Sequence, residues 1–248
     1  MSLDLAIIGG TGLYTFPGLG DVEKRAVQTP FGEPSGHVVL GELTGRRVAF
    51  LARHGEAHTL APHRVNYRAN VWALHHLGAR RVLGVNAVGG ITEKMGPRVI
   101  AVPDQIIDYT HGRLDSFCDI EGAKVEHIDF TEPYSPALRA ELIVAGKAAN
   151  IAVVDGGCYG ATQGPRLETR AEIARMRRDG CDLVGMTGMP EAALARELGI
   201  EYACLALVAN WAAGCGGEAS ISLPEIYANL EAATAQVPPI VRALLAGK

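Results

Sequence analysis

The chain has no excess of positive charge. Its 23 lysines and arginines stand against 27 aspartates and glutamates, a net charge of −4. A nucleic-acid backbone needs a basic face, so that partner is excluded. Nor does any apolar run reach the roughly 18 residues that a membrane span requires. The opening Met1-Ser2-Leu3-Asp4-Leu5 enters a short apolar run with no basic flank, and reads as a first strand rather than a signal peptide. Cysteine is scarce and unpatterned. Cys118, Cys158, Cys181, Cys204 and Cys215 are odd in number and lack CxxC spacing. That argues against a zinc site or a disulfide framework and for neutral thiols in a reducing, cytoplasmic setting. Linkers, repeats and low-complexity segments are also missing, so residues 1–248 read as one domain.

What is present is an alternation of buried strands and amphipathic helices. Leu5–Ile8 is a short apolar run ending in Gly-Gly-Thr-Gly, a strand followed by a turn. Val38–Leu40 and Arg47–Leu51 read as a strand pair across Thr44-Gly45, and Asn66–Leu77 has helical spacing. Strands follow at Arg81–Asn86, Val99–Val102 and Gln105–Tyr109, then a helix at Pro136–Ala149 and a strand at Ile151–Gly160. Thr169–Asp179 is a helix, Leu183–Gly185 a strand, Glu191–Leu198 a helix and Tyr202–Ala209 a central strand. Leu223–Leu245 is expected to close the chain as a helix, with a break at Pro238-Pro239. The alternation predicts an α/β fold, a mixed and largely parallel sheet flanked by helices.

Glycine-rich polar clusters recur where strands end: Gly9–Gly12, Asn86–Gly90, Thr162–Glu168, Gly185–Thr187 and Asn210–Gly214. Ligands of open α/β sheets sit at the carboxyl ends of strands, so the clusters are expected to converge. Gly9-Gly10-Thr11-Gly12 can bring backbone amides close to an anion. It is neither GxGxxG nor a P-loop, and a plain turn is its other reading. Arg53 directly follows an apolar strand and offers a planar fork matched to phosphate; an ion pair is the alternative. His54 and His58 lack a carboxylate at ligand spacing, so no metal is expected. Glu168 is either an acid at a helix start or an acceptor for a ring N–H. Asn210 ends a very apolar strand, where a buried amide needs partners.

Seven motifs then combine: IIGGTGL, TPFGEPS (Thr29–Ser35), ARHGEAH, VNYRANVWAL (Val65–Leu74), NAVGG, GPRLETRAE and VGMTGMPEAALARE. Through them the chain, from Ile7 to about Leu245, resembles the trimeric purine nucleoside and methylthioadenosine phosphorylases. The resemblance implies a homotrimer that cleaves a nucleoside with inorganic phosphate as co-substrate, without metal or cofactor. By position it implies a phosphate pocket of Thr11, Arg53, His54, the Ala87 backbone and Thr187. It assigns Met186 to the sugar and Asn210 to the base, with Leu167, Trp211 and Ala212 around them. Asn210, Glu168 and His54 are the implied catalytic contacts, and His127 is the residue lent to a neighbouring subunit.

Departures within the family set the expected substrate. The methylthioadenosine branch has aspartates where this chain has Asn210 and Ala212, and a serine where it has Glu168. An asparagine can accept from N7–H and donate to a 6-oxo group. A carboxylate at 168 accepts from N1–H of hypoxanthine but faces the bare N1 lone pair of adenine. Aligning Ser220-Ile221-Ser222-Leu223 with the family's 5′-reading segment puts apolar Leu223 where other 6-oxopurine enzymes have histidine. Together these imply phosphorolysis of S-methyl-5′-thioinosine to hypoxanthine and 5-methylthioribose 1-phosphate. The rivals are a methylthioadenosine phosphorylase and, from another class, a non-catalytic nucleoside- or dinucleotide-binding domain.

Overall fold

The computed structural model describes residues 3–120, 122–217 and 222–247. Its eleven strands form one sheet. They are β1 (Leu5–Gly9), β2 (Gly20–Arg25), β3 (Val38–Leu43), β4 (Arg46–Ala52), β5 (Arg81–Gly90) and β6 (Ile100–Val102), then β7 (Gln105–Asp108), β8 (Val153–Asp155), β9 (Cys158–Ala161), β10 (Leu183–Gly185) and β11 (Glu201–Trp211). Among the described residues six α-helices accompany them: α1 (Tyr67–His76), α2 (Pro136–Ala148), α3 (Arg170–Arg178), α4 (Glu191–Glu197), α5 (Leu223–Thr234) and α6 (Val237–Ala246).

Strand alternation assigns side chains to two buried faces. In β1, Ala6 and Ile8 join the layer beneath α1 and α4, whereas Leu5 and Ile7 join the layer beneath α2, α5 and α6. Both faces are covered, which is why β1 and β11 read as continuous apolar runs. Parallel pairs predominate, as in β1 with β4 and β5, β11 with β5 and β7 with β9. Antiparallel pairs join β3 to β2 and β4.

The feature that positions the site is the branching of β5. One edge pairs with β11 along the whole strand. The other edge pairs with β1 only through Val82–Gly84 and with β10 only at Gly89 and Gly90. Between them lies a stretch of β5, Val85–Val88, with no strand from the described residues on that edge. The polar side chains of the site gather there.

Two expectations need correction, and one strand was missed. Ile151–Gly160 is two strands, because Gly156 and Gly157 adopt φ of +88° and +116°. The turn sends β8 to β6 and β9 to β7 and β10. The closing helix breaks at Ala235–Gln236, ahead of the prolines. Pro238 and Pro239 stand in the first turn of α6, where the missing N–H removes no helical bond. Strand β2 was not anticipated: its six residues are all exposed, so it has no alternation, and it forms by pairing with the edge of β3.

Candidate active site

The strand ends converge on one cavity of about 520 Å³. Thr11, Arg53, His54, Ala87 and Thr187 line it, and so do Met186, Leu167, Glu168, Asn210, Ala212 and Leu223. Of the residues expected at this chain's own site, Trp211 stands elsewhere, and His127 was expected at a neighbour's pocket rather than here. Trp211 is not in the lining: its ring packs against Gly96 and Gly216, a consequence of side-chain alternation after Asn210. His127 is exposed on the long segment between β7 and α2 and does not reach this chain's cavity.

At the Gly9–Gly12 turn, a Cβ on Gly10 would sit 2.6 Å from the Val85 carbonyl and 2.9 Å from Arg53 Nη1. Only glycine lets the turn approach the open stretch of β5 this closely. Arg53 fills that opening, fully buried. Of the two readings of this side chain, a phosphate-matched fork and an ion pair, the ion pair is what it makes within the chain, though it still lines the cavity. Nε and Nη2 donate to Glu191 Oε2 and Oε1 at 2.8 and 2.7 Å. Nη1 donates to the Val85 carbonyl at 3.0 Å, and Nη2 also reaches Asn86 Oδ1 at 3.3 Å. The fork is therefore matched to a carboxylate, leaving one N–H on Nη1 unassigned. Burial opposes the Arg53 charge, but Glu191 more than offsets it and holds the guanidinium above its ordinary pKa.

Glu191 and Asn86, both fully buried, are site residues that sequence reasoning missed. Glu191 opens α4 and looks like an ordinary helix-start acid. Asn86 is a lone amide in an apolar strand, a signal that could have singled it out. Its Nδ2 donates to Thr187 Oγ1 at 2.9 Å. With that lone pair engaged, the Thr187 hydroxyl proton is left for an incoming acceptor.

His54 Nδ1 lies 2.8 Å from the Leu60 carbonyl. A carbonyl only accepts, so Nδ1 carries the proton and Nε2 is left as an acceptor. Burial, with the Arg53 charge beside it, pushes the imidazole down to about 4. The unfolded chain therefore takes up this proton below about pH 6.5 and the folded protein only below about 4. Stability tied to His54 is complete above pH 6.5 and is lost as pH falls toward 4. At about 1.4 kcal/mol per unit, the expected loss is roughly 3 kcal/mol. Urea unfolding at pH 7 and pH 4.5 checks this: His54→Gln should lose clearly less stability than the wild type, and an equal loss would refute it.

Across the cavity, helix α3 is capped by Thr169 and Glu172 in a capping box, not by Glu168. Glu168, one residue earlier, lines the cavity instead. Its Oε1 accepts from the Thr162 hydroxyl at 2.6 Å, and no hydrogen bond from the described residues reaches Oε2. Arg113 braces this loop by donating to the Thr162 and Gln163 carbonyls at 3.1 and 3.0 Å. Asn210 enters the cavity at a β-bulge, where β11 slips its register on β5 between Val208 and Asn210. Its Nδ2 donates to the Trp211 carbonyl at 2.6 Å, which leaves Oδ1 and a second N–H for a ligand. Leu223, 58% exposed, sits at the start of α5 beside Ile226 and Tyr227 in the lining. Ser220 and Ile221 lie outside the described residues.

Hydroxyl-bearing residues and a glycine turn on one side of the cavity thus adjoin a wall with one carboxylate and one oriented amide. The Phosphorylase superfamily matches residues 4–246, and the chain belongs to that superfamily of enzymes. Within it, the chain is 61% identical to a probable S-methyl-5′-thioinosine phosphorylase of Xanthomonas campestris pv. campestris, covering 99% of this chain and 98% of that one. It is 45% identical to an S-methyl-5′-thioadenosine phosphorylase of Mycolicibacterium smegmatis, over 92% of this chain and 84% of that one. A crystal structure of a methylthioadenosine phosphorylase from an antarctic soil metagenomic library superimposes with a TM-score of 0.92. It is 40% identical and covers 99% of this chain and 86% of that chain.

Proposed function

We propose that this enzyme phosphorolyses S-methyl-5′-thioinosine to hypoxanthine and 5-methylthio-α-D-ribose 1-phosphate. The observation that carries the reading is the Glu168 carboxylate turned into the cavity, with one oxygen fixed by Thr162 and the other open to a ligand N–H. Hypoxanthine offers N1–H there, whereas adenine offers a lone pair. The Asn210 amide complements this choice, with Oδ1 for N7–H and its remaining N–H for the 6-oxo group.

In the reaction, the glycosidic bond lengthens and the sugar gains oxocarbenium character. Phosphate held by Thr11, His54, the Ala87 backbone and Thr187 is both nucleophile and counter-charge. Asn210 stabilises the purine as it leaves with its N7 proton, and Met186 lines the sugar. Rate acceleration then rests on positioning and fixed dipoles, without a covalent enzyme intermediate. A second phosphate-type subsite is what a simple nucleoside sensor would not need.

The deciding experiment is a panel of methylthioinosine, methylthioadenosine, inosine and adenosine, each with and without phosphate. Phosphate-dependent release of hypoxanthine, with kcat/KM highest for methylthioinosine, is expected. Equal or higher kcat/KM for methylthioadenosine would transfer the chain to the rival branch. Release of base without phosphate would remove phosphorolysis altogether.

The sugar end is read by apolar contact at Leu223. A buried methylthio group gains from contact where a hydroxyl loses solvation. Leu223→His should therefore move preference toward inosine by about 1–3 kcal/mol, roughly ten- to a hundredfold in relative kcat/KM, while keeping the hypoxanthine requirement. An unchanged methylthioinosine-to-inosine ratio assigns the 5′ end to Tyr227 or to the lent segment instead.

Assembly follows from His127. Its exposure fits a residue that completes a neighbour's sugar pocket, so the active species is expected to be a homotrimer. Light scattering at assay concentration tests this, and a fully active monomer contradicts it.

A further inference from the structure

Among the described residues that line the cavity, only Arg53 and Glu168 bear a charge expected at neutral pH, apart from histidine. Glu168 belongs to the base wall. The one arginine or lysine among the described lining residues is therefore Arg53, and that cation is already matched. Both Arg53 and Glu191 are fully buried and share two hydrogen bonds of 2.8 and 2.7 Å. Tyr202 donates a further 2.7 Å bond to Glu191 Oε1. Space for this cluster is made at Gly84, where a Cβ would fall 2.2 Å from the Tyr202 oxygen and 2.9 Å from Glu191 Oε1.

We propose that Glu191 cancels the charge of Arg53, so that this enzyme holds phosphate in an electrically balanced pocket, mainly by oriented neutral donors. This rests on the phosphorolytic reading of the cavity. Glu191 is a positioning residue in this account, since it touches Arg53 and not the reactants. The neutral donors are the Thr11 and Thr187 hydroxyls and the amides of the glycine turn and of Ala87. The Asn86 bond to Thr187 sets the polarity of one of them. His54, with its proton committed to Leu60, adds an acceptor rather than a second cation.

Balance has a kinetic purpose. The product is itself a phosphate ester and must leave. An uncompensated buried cation would hold both phosphate and sugar 1-phosphate more tightly. It would also oppose the positive charge that develops on the sugar, close to the bound phosphate. Modest anion affinity is the consequence of pairing Arg53 with Glu191.

The test is Glu191→Gln, which keeps size and one acceptor for Arg53 but removes the negative charge. Phosphate KM should fall by roughly five- to fiftyfold, since Coulomb attraction to a dianion is no longer cancelled at short range. kcat should fall with it, while the nucleoside KM stays within about twofold. Generic damage to the fold would instead raise phosphate KM or move both constants together. Tyr202→Phe, which changes no charge, should cost stability without lowering phosphate KM. A lowered value there assigns the effect to packing and overturns the proposal. Melting in rising inorganic phosphate, without nucleoside, gives a second readout. The melting temperature of Glu191→Gln should climb more steeply than that of the wild type. An equal or shallower climb overturns the balance argument, as does failure of the variant to fold in saturating phosphate. If phosphate stabilises neither protein, the phosphorolytic reading itself falls.

Discussion

Arg53→Met is expected to destabilise the protein by about 3–5 kcal/mol, the cost of leaving one partner of a buried ion pair alone. The reason lies in what the guanidinium satisfies. Its removal strips two donors from Glu191 at the start of α4, and one each from the Val85 carbonyl and Asn86 Oδ1 in the unpaired stretch of β5. Water has poor access to a carboxylate that is fully buried. The expected measurement is a lower urea midpoint at unchanged slope. Adding Glu191→Leu to Arg53→Met should recover most of the loss, since apolar replacement of a whole buried pair is often neutral. A single variant within about 1 kcal/mol of the wild type would show that the pair is not desolvated as the geometry requires. Loss of activity in an Arg53 variant is therefore not a measure of phosphate contact until its folding has been checked.

Glu168→Gln is expected to abolish most of the discrimination between 6-oxo and 6-amino purines. A glutamine can accept from N1–H or donate to the adenine lone pair, so the repulsive element disappears. Hydrogen bonds to charged groups contribute about 1.5–3 kcal/mol, and the preference should fall by roughly ten- to a hundredfold. The methylthioinosine-to-methylthioadenosine ratio of kcat/KM is the readout, with phosphate KM as the internal control. An unaltered ratio would move base selection to Asn210 alone. The Thr162 hydroxyl accounts for a smaller effect of its own: Thr162→Val frees Glu168 Oε1 but leaves its charge in place.

The sequence by itself determined the strands and helices whose cause is local. β1, β4, β5 and β11 announce themselves because a strand buried on both faces must be apolar throughout. α1, α2 and α3 carry caps and helical spacing within their own residues. Glycine clusters at strand ends located the cavity, since ligands of such sheets collect there. The residues resembling the phosphorylase motifs then named most of its lining.

Only the tertiary structure decided what depends on partners distant in the chain. Arg53 and Glu191 are 138 positions apart, so nothing local distinguishes a phosphate fork from half of an ion pair. β2 is a strand only because β3 offers an edge, and its exposed residues carry no pattern of their own. Trp211 follows Asn210 in sequence, yet alternation beyond a bulge sends the two side chains to different places. The branching of β5 between β1 and β10 leaves backbone groups open at the sheet's centre, and the buried polar network exists to satisfy them. Apolar pattern is written residue by residue, whereas charge compensation in a low-dielectric interior is a property of pairs that only folding brings together.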